Sequence, residues 1–313
     1  MSPGPNKKKR TARNSEGESQ RQKRSSMRRW MLIALLVVVC AFTVYMLLTE
    51  YEEPQPVSGD SATLSVLVID VGQADSILVT MSTGEVMLID AGESDSVDSI
   101  CEELDERSID MIDILVATHP HADHIGGMSQ IIDRYEIGTI YMPDKTSTSK
   151  VYKKLIATIE SHDVPVVEAY AGEEFYLGAA RCTIVSPGED DDYDANNESV
   201  AIFLDYLDTE CLFTGDMEKR AEDEVLADGY YVDADILKVA HHGSSTGTSE
   251  GFLEAVSPDY AVISCGEGNT YGHPHEETLG LLTEYGLTPY RTDISGDILF
   301  TSDGYTIQVT TGD

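Results

Sequence analysis

The chain has 313 residues, 41% of them hydrophobic, and a formal net charge of −35. That length accommodates one large domain or two modest ones, and the apolar content supports a real core. The charge is uneven: residues 1–50 carry ten Lys/Arg against three Glu, which leaves −42 on residues 51–313. Such an excess excludes a broadly basic surface, and it repels nucleic acid unless cations or a local basic patch compensate.

Residues 1–29 are rich in Lys, Arg, Ser, Asn and Gln and read as a disordered basic tail. Residues 30–48, WMLIALLVVVCAFTVYMLL, form an uncharged run of 19, and a membrane-spanning helix needs roughly 20. A signal peptide also opens on basic residues, but its apolar core is shorter and ends in a small-x-small cleavage site. The adjoining YMLLTEYEEPQP has no such pair. We therefore expect one uncleaved transmembrane helix behind a cytoplasmic tail. The basic flank precedes the span, so the positive-inside rule sends residues 49–313 outside the cell membrane. Residues 49–62 are a linker by their Pro, Gly and acidic content, and one folded domain is expected over 63–311.

Short β-branched runs at 63–70, 75–81 and 85–92, broken by Gly and Asp, predict consecutive strands. Helical spacing follows at 95–107, then a buried strand at 111–118 and helices at 126–136 and 150–162. Further strands are expected at 200–206, 210–216, 235–243, 259–266 and 296–310, with helices near 217–227, 249–255 and 275–285. This is an α/β pattern with more than ten strands. It contains no internal repeat, Gly-rich phosphate loop or dinucleotide fingerprint.

Seven of the eight histidines fall in three clusters: His119, His121 and His124; His241 and His242; His273 and His275. His162 stands apart at the end of an amphipathic helix and reads as a surface residue. Each cluster follows a predicted strand, and open α/β architectures collect ligands beyond the carboxyl ends of their strands. Imidazole and carboxylate are usual partners for zinc. In VATHPHADHIGGM (residues 116–128), an extended turn projects His119 and His121 to one side, toward one metal. Asp123 and His124 enter the next helix and face a second position, and Gly126 and Gly127 permit a close turn into it.

The H-x-H-x-D-H arrangement resembles the metallo-β-lactamase fold superfamily, over about residues 63–311. The resemblance implies an α/β four-layer αββα sandwich with a dinuclear zinc site, manganese being the alternative. It implies a bridging Asp216 in LFTGDM, structural support by Asp70 in VIDVGQADSILV, and a histidine of KVAHHGS on the second metal. Strand alternation past Lys238 would turn His241 and His242 in opposite directions, which leaves open which of them ligates. DVGQADSILV, NNESVAIFL, FTGD, KVAHHGS and SCGEGNTYGHPH together are similar to the catalytic domain of the ComEC family of DNA-uptake competence proteins. Two departures stand out. A standard superfamily member has a further histidine on the first metal, whereas here the corresponding position falls in NNES, placing Asn197 or Ser199 near it. Full competence channels carry many membrane spans and this sequence has one, so it is not expected to be the channel itself.

The implied activity is metal-dependent hydrolysis of a phosphodiester, DNA or an envelope polymer, by a membrane-anchored extracytoplasmic enzyme. Two metals about 3.5–4 Å apart activate a bridging water and clamp an in-line displacement at phosphorus. Asp123 and His273 are the candidate catalytic side chains, Asp123 doubling as a ligand and His273 binding a phosphate oxygen or protonating the leaving group. His275 reads as a solvated residue before a helix, and Ser244 and Ser245 as either phosphate donors or a helix cap. Lys219, Arg220 and Lys238 are a thin basic footprint for DNA, so a cell-envelope phosphoester hydrolase such as a phosphorylcholine esterase is the alternative. A non-catalytic, metal-stabilised binding domain is a further alternative, opposed by the retained His and Asp set. The five cysteines form no zinc signature. Cys182 and Cys211 both fall in predicted strands, which leaves a disulfide or two isolated thiols open.

Overall fold

The computed structural model describes residues 62–188 and 194–312. The basic tail, the apolar span 30–48 and the linker through residue 61 lie outside the described residues. Among those described, no helix is long and apolar enough to cross a membrane.

Strands β1 (Leu64–Val68), β2 (Ile77–Met81), β3 (Val86–Ile89), β4 (Met111–Val116), β5 (Glu136–Met142), β6 (Val166–Glu168), β14 (Ile298–Ser302) and β15 (Ile307–Thr311) form one sheet. Its order is β15-β14-β1-β2-β3-β4-β5-β6. Strands β7 (Glu174–Leu177), β8 (Ala180–Ser186), β9 (Ala201–Tyr206), β10 (Thr209–Phe213), β11 (Ile236–Lys238), β12 (Tyr260–Ile263) and β13 (Tyr290–Arg291) form a second, ordered β13-β12-β11-β10-β9-β8-β7. Alternation along each strand builds the layers. Val66 and Val68 meet Ile202, Leu204 and Phe213 between the sheets, while Leu67 and Ile69 turn to the opposite face.

That outer face is covered by α1 (Val97–Glu106), α3 (Met128–Arg134) and α4 (Lys150–His162). In α1, Val97, Ile100, Cys101 and Leu104 recur at helical spacing and are all buried. Truncating such a leucine to alanine costs about 2–5 kcal/mol. α4 starts where the Ser149 hydroxyl accepts from Tyr152 N and ends at Asp163, which is left-handed. Helices α5 (Lys219–Asp228), α6 (Glu250–Val256) and α7 (Glu276–Glu284) cover the second sheet through Val225, Phe252, Val256 and Leu282. The result is the expected α/β sandwich of helices, two sheets and helices.

Several boundaries differ from expectation. The helix expected over 126–136 is α2 (Ala122–Ile125) followed by α3, and β5 starts at Glu136. β5 is mostly half-buried and contains Gly138, so it shows no continuous apolar run. Strands β6 and β7 carry little or mixed apolar signal and were not anticipated as separate elements. The single strand expected over 296–310 is the β14–β15 hairpin. The carboxylate of Asp303 accepts from the N–H groups of Tyr305 and Thr306, and Gly304 at φ 88° completes that turn. A Cys182–Cys211 disulfide is also excluded. Each residue pairs with Leu204 from opposite sides of β9, which sets them about 9–10 Å apart, beyond disulfide reach. Both are free and buried.

β3, β4 and β5 run parallel, as do β10, β11 and β12. The segments leaving β4, β10, β11 and β12 carry His119–His124, Asp216, His241–His242 and His273 respectively. Parallel strand ends thus deliver residues from distant parts of the chain to one place.

Candidate metal centre

Two donor groups meet at Asp216. Asp123, His124, Asp216 and His242 form one, and His119, His121 and Asp216 form the other. In the first, Asp216 Oδ1 lies 3.2 Å from His124 Nε2 and 3.6 Å from His242 Nε2. Asp123 Oδ2 lies 3.4 Å from His242 Nε2 and 3.9 Å from His124 Nε2. Donors bound at about 2.0–2.2 Å to one tetrahedral ion stand about 3.3 Å apart, so this set fits a divalent metal. His124 Nε2, His242 Nε2 and Asp216 Oδ1 are buried without a hydrogen-bond partner, which agrees with the fit because buried polar atoms are normally paired. In the second group, His119 Nε2 and His121 Nδ1 are 2.9 Å apart, and His119 Nε2 is 3.8 Å from Asp216 Oδ2.

The inward-facing nitrogens are held from behind. Asp90, just past β3, lies 2.7 Å from His124 Nδ1 and accepts from Thr118 N at 2.9 Å and Thr118 Oγ1 at 2.6 Å. Ile89 pairs with Val116, so Asp90 sits beside the start of the histidine loop. Structural support by Asp70 is therefore corrected to Asp90. Asp70 lies just past β1, whose neighbours are β2 and β14. It is exposed, and its hydrogen bonds go to Gly72 and Asp297. His242 Nδ1 lies 3.0 Å from Ser264 O and 3.3 Å from Asp75 Oδ1, and Asp75 is paired with the buried Lys238. The Gly pair has a packing role: a Cβ on Gly127 would collide with Ala91 O, where the loop after β3 crosses.

A family model for the metallo-beta-lactamase superfamily matches residues 69–267. The chain belongs to the metallo-β-lactamase superfamily. ComE operon protein 3 of Bacillus subtilis is 30% identical over 197 residues, covering 63% of this chain and 25% of that protein. Competence protein ComA of Neisseria gonorrhoeae is 28% identical over 250 residues, covering 75% of this chain and 32% of that protein. Both are ComEC-like competence proteins, and the chain spans about a quarter to a third of their length. Among solved structures, Igni18, a metallo hydrolase from Ignicoccus hospitalis, has a TM-score of 0.50 at 13% identity, covering 76% of this chain and 98% of that one. At that identity the likeness concerns the fold.

This superfamily member is thus a metallohydrolase relative of the competence proteins, with residue clusters suited to divalent metal. Its site opens into a cavity of about 740 Å³ lined by residues that include His121, Asp123, Asn196, Asp216, His241, His242 and His273. Gln73 fixes His273. The Gln73 Oε1 accepts from Gly266 N at 3.1 Å, so its amide nitrogen faces His273 Nδ1 at 3.4 Å. That leaves the Nε2 of a neutral ring to carry the hydrogen. Burial pulls His273 down to about 4, with His241, His242 and His275 acting in the same direction. Despite burial, His124 and His242 hold Asp216 well below the usual carboxylate range. Also against burial, Asp216 and Asp75 push His242 up to about 10.

Asn197 and Ser199 sit behind the site rather than on it. Asn197 Oδ1 accepts from Ala221 N at the start of α5, and its amide nitrogen bonds Asp194. Ser199 Oγ is 3.4 Å from His119 Nδ1 and accepts from Asp216 N. The member of NNES that lines the cavity is Asn196. Ser244 is buried and bonds Thr246, and His275 precedes α7 with Nδ1 accepting from Ser245 N. His162 pairs with Asp133 on the surface. Asp75, Asp90, Asn196 and Gln73 thus supply what the motif reading missed, and Lys238, expected in a basic footprint, is instead buried against Asp75. One signal was present: I-D-x-G occurs at residues 69–72 and again at 89–92, and the second copy adjoins β4.

Proposed function

We propose that the chain is a membrane-anchored, extracytoplasmic phosphodiesterase that works with two zinc ions, manganese being the alternative. The observation that carries this reading is the Asp216 carboxylate, which faces a donor group with each oxygen. Two ions held there would supply an activated water and positive charge for the phosphoryl oxygens. Asp123 contributes a ligand oxygen and borders the cavity where that water would stand. His273, kept neutral with its hydrogen on Nε2, donates to a phosphate oxygen. The competence relatives favour DNA as the substrate, and the apolar run 30–48 supports the anchor. Protease added to intact cells should then release the domain.

A second reading has its own observation. Among the described residues, those lining the cavity include Glu93 and Asp95 but no lysine or arginine, and Lys219, Arg220 and Lys238 are not among them. Acidic walls disfavour a polyanion and suit a phosphoester with a cationic group, such as phosphorylcholine. A panel with the full chain and zinc or manganese separates the two: single-stranded DNA, bis(p-nitrophenyl) phosphate, p-nitrophenyl phosphorylcholine and nitrocefin. Cleavage of DNA supports the nuclease, turnover of the choline ester alone selects the envelope esterase, and nitrocefin alone overturns both.

A further inference from the structure

The two oxygens of Asp216 divide four imidazoles between them. Oδ1 faces His124 Nε2 at 3.2 Å and His242 Nε2 at 3.6 Å. Oδ2 faces His119 Nε2 at 3.8 Å and His241 Nε2 at 3.6 Å. A carboxylate that bridges two ions gives one oxygen to each, so its neighbours sort by oxygen. We infer that His241 is drawn onto the first metal through Nε2 as a further ligand, although it stands outside the close group of His119, His121 and Asp216, and that Glu218 is the carboxylate that positions it. The inference rests on the two-metal reading of the site and is independent of the substrate.

Glu218 is placed for this role. His241 Nδ1 lies 3.2 Å from Glu218 Oε1, and the same oxygen accepts from Thr246 Oγ1 at 2.8 Å and Asn196 Nδ2 at 3.3 Å. A ligating histidine almost always gives its other ring N–H to such an acceptor. His124 shows the same arrangement, with Nδ1 on Asp90 at 2.7 Å. The backbone points the same way. His241 and His242 have φ of 49° and 53°, a region that few non-glycine residues enter and that concentrates at functional sites. Two successive left-handed residues carry adjacent imidazoles to different oxygens of one carboxylate. Strand alternation would have sent one of them away. A histidine kept for solvent contact needs neither that backbone nor a twice-anchored carboxylate behind it.

The test is a cobalt(II) titration of the full chain after metal removal, read by visible absorption and elemental analysis. The wild-type chain is expected to take up two equivalents. In His241→Ala one equivalent is lost or strongly weakened, while the other binds as in wild type. That second equivalent also shows that the variant is folded. Glu218→Gln should weaken the same equivalent by about 10–100-fold, and it decides the matter if the alanine variant binds nothing. Two equivalents bound with wild-type affinity in His241→Ala would overturn the inference, as would an unchanged titration in Glu218→Gln. A wild-type chain that takes up no cobalt would overturn it together with the two-metal reading.

Discussion

The ammonium of Lys238 stands 2.9 Å from Oδ2 of Asp75, and both side chains are buried. Asp75 Oδ1 in turn lies 3.3 Å from His242 Nδ1, so the pair underlies a candidate ligand. Burial alone would raise the Asp75 carboxyl, but Lys238 and His242 hold it well below the usual range. Removing one partner of a buried pair leaves the other uncompensated. Lys238→Met should cost about 3–5 kcal/mol in chemical denaturation, and Lys238→Met combined with Asp75→Leu should recover part of it. A loss below about 1 kcal/mol in the single variant would place the pair among those of surface strength.

Asp90 and Asp70 give a paired comparison. Asp90→Ala removes the partner of His124 Nδ1 and both bonds to Thr118. Loss of such an outer partner lowers metal affinity by about 10–100-fold. Asp70→Ala, exposed and on the far side of β2 from β3, should leave metal affinity unchanged. Equal effects in the two variants would remove the assignment of Asp90.

Asp216→Ala should disturb both metal positions, because each oxygen serves a different donor group. His124→Ala should empty mainly the position it shares with Asp123 and His242. Elemental analysis distinguishes these outcomes, and full metal content in Asp216→Ala would end its bridging role.

His273 lines the cavity, belongs to neither donor group, and has its Nδ1 against the Gln73 amide, whereas His241 faces an oxygen of Asp216. His273→Ala should therefore keep its metal while turnover of a phosphodiester falls by about 10²–10³, the usual loss for one oriented donor. Gln73→Ala, which frees the ring, should fall less. Metal loss in His273→Ala would make it a ligand instead.

Glu210 offers a pH test away from the metals. Burial and then the hydrogen bond with the Asp235 carboxyl push it up to about 7. The folded chain therefore holds a proton there that the unfolded chain releases from about pH 4.5 upward. Its stabilising contribution is full below that pH and is lost as pH rises through about 7. Melting temperature against pH should fall more steeply between 5 and 8 in wild type than in Glu210→Gln. Parallel curves would show that this carboxyl titrates normally.

The legible part of the site was local. His119, His121, Asp123 and His124 lie within six positions, and a single turn after β4 sets all four side chains relative to one another. Asp216 was legible for a similar reason, since it follows the buried run of β10 and then Gly215. The α4 boundaries, 150–162, could be read because Ser149 caps one end and the apolar spacing runs through the helix.

Other choices depended on neighbours that the sequence does not display. Two I-D-x-G segments look alike, and only the order β1-β2-β3-β4 puts Asp90, not Asp70, beside the histidine loop. Asn196 and Asn197 are adjacent, yet one lines the cavity and the other caps contacts at α5, because loop dihedrals follow no side-chain period. Cys182 and Cys211 lie in strands of one sheet, and the interposed β9 keeps them apart. The kinds of donor, and the alternation that builds two sheets, are local properties readable along the chain. Which donor meets which is a property of the folded domain. Strand order and left-handed turns such as His241–His242 are set by packing across the whole domain, and no window of neighbouring residues contains that information.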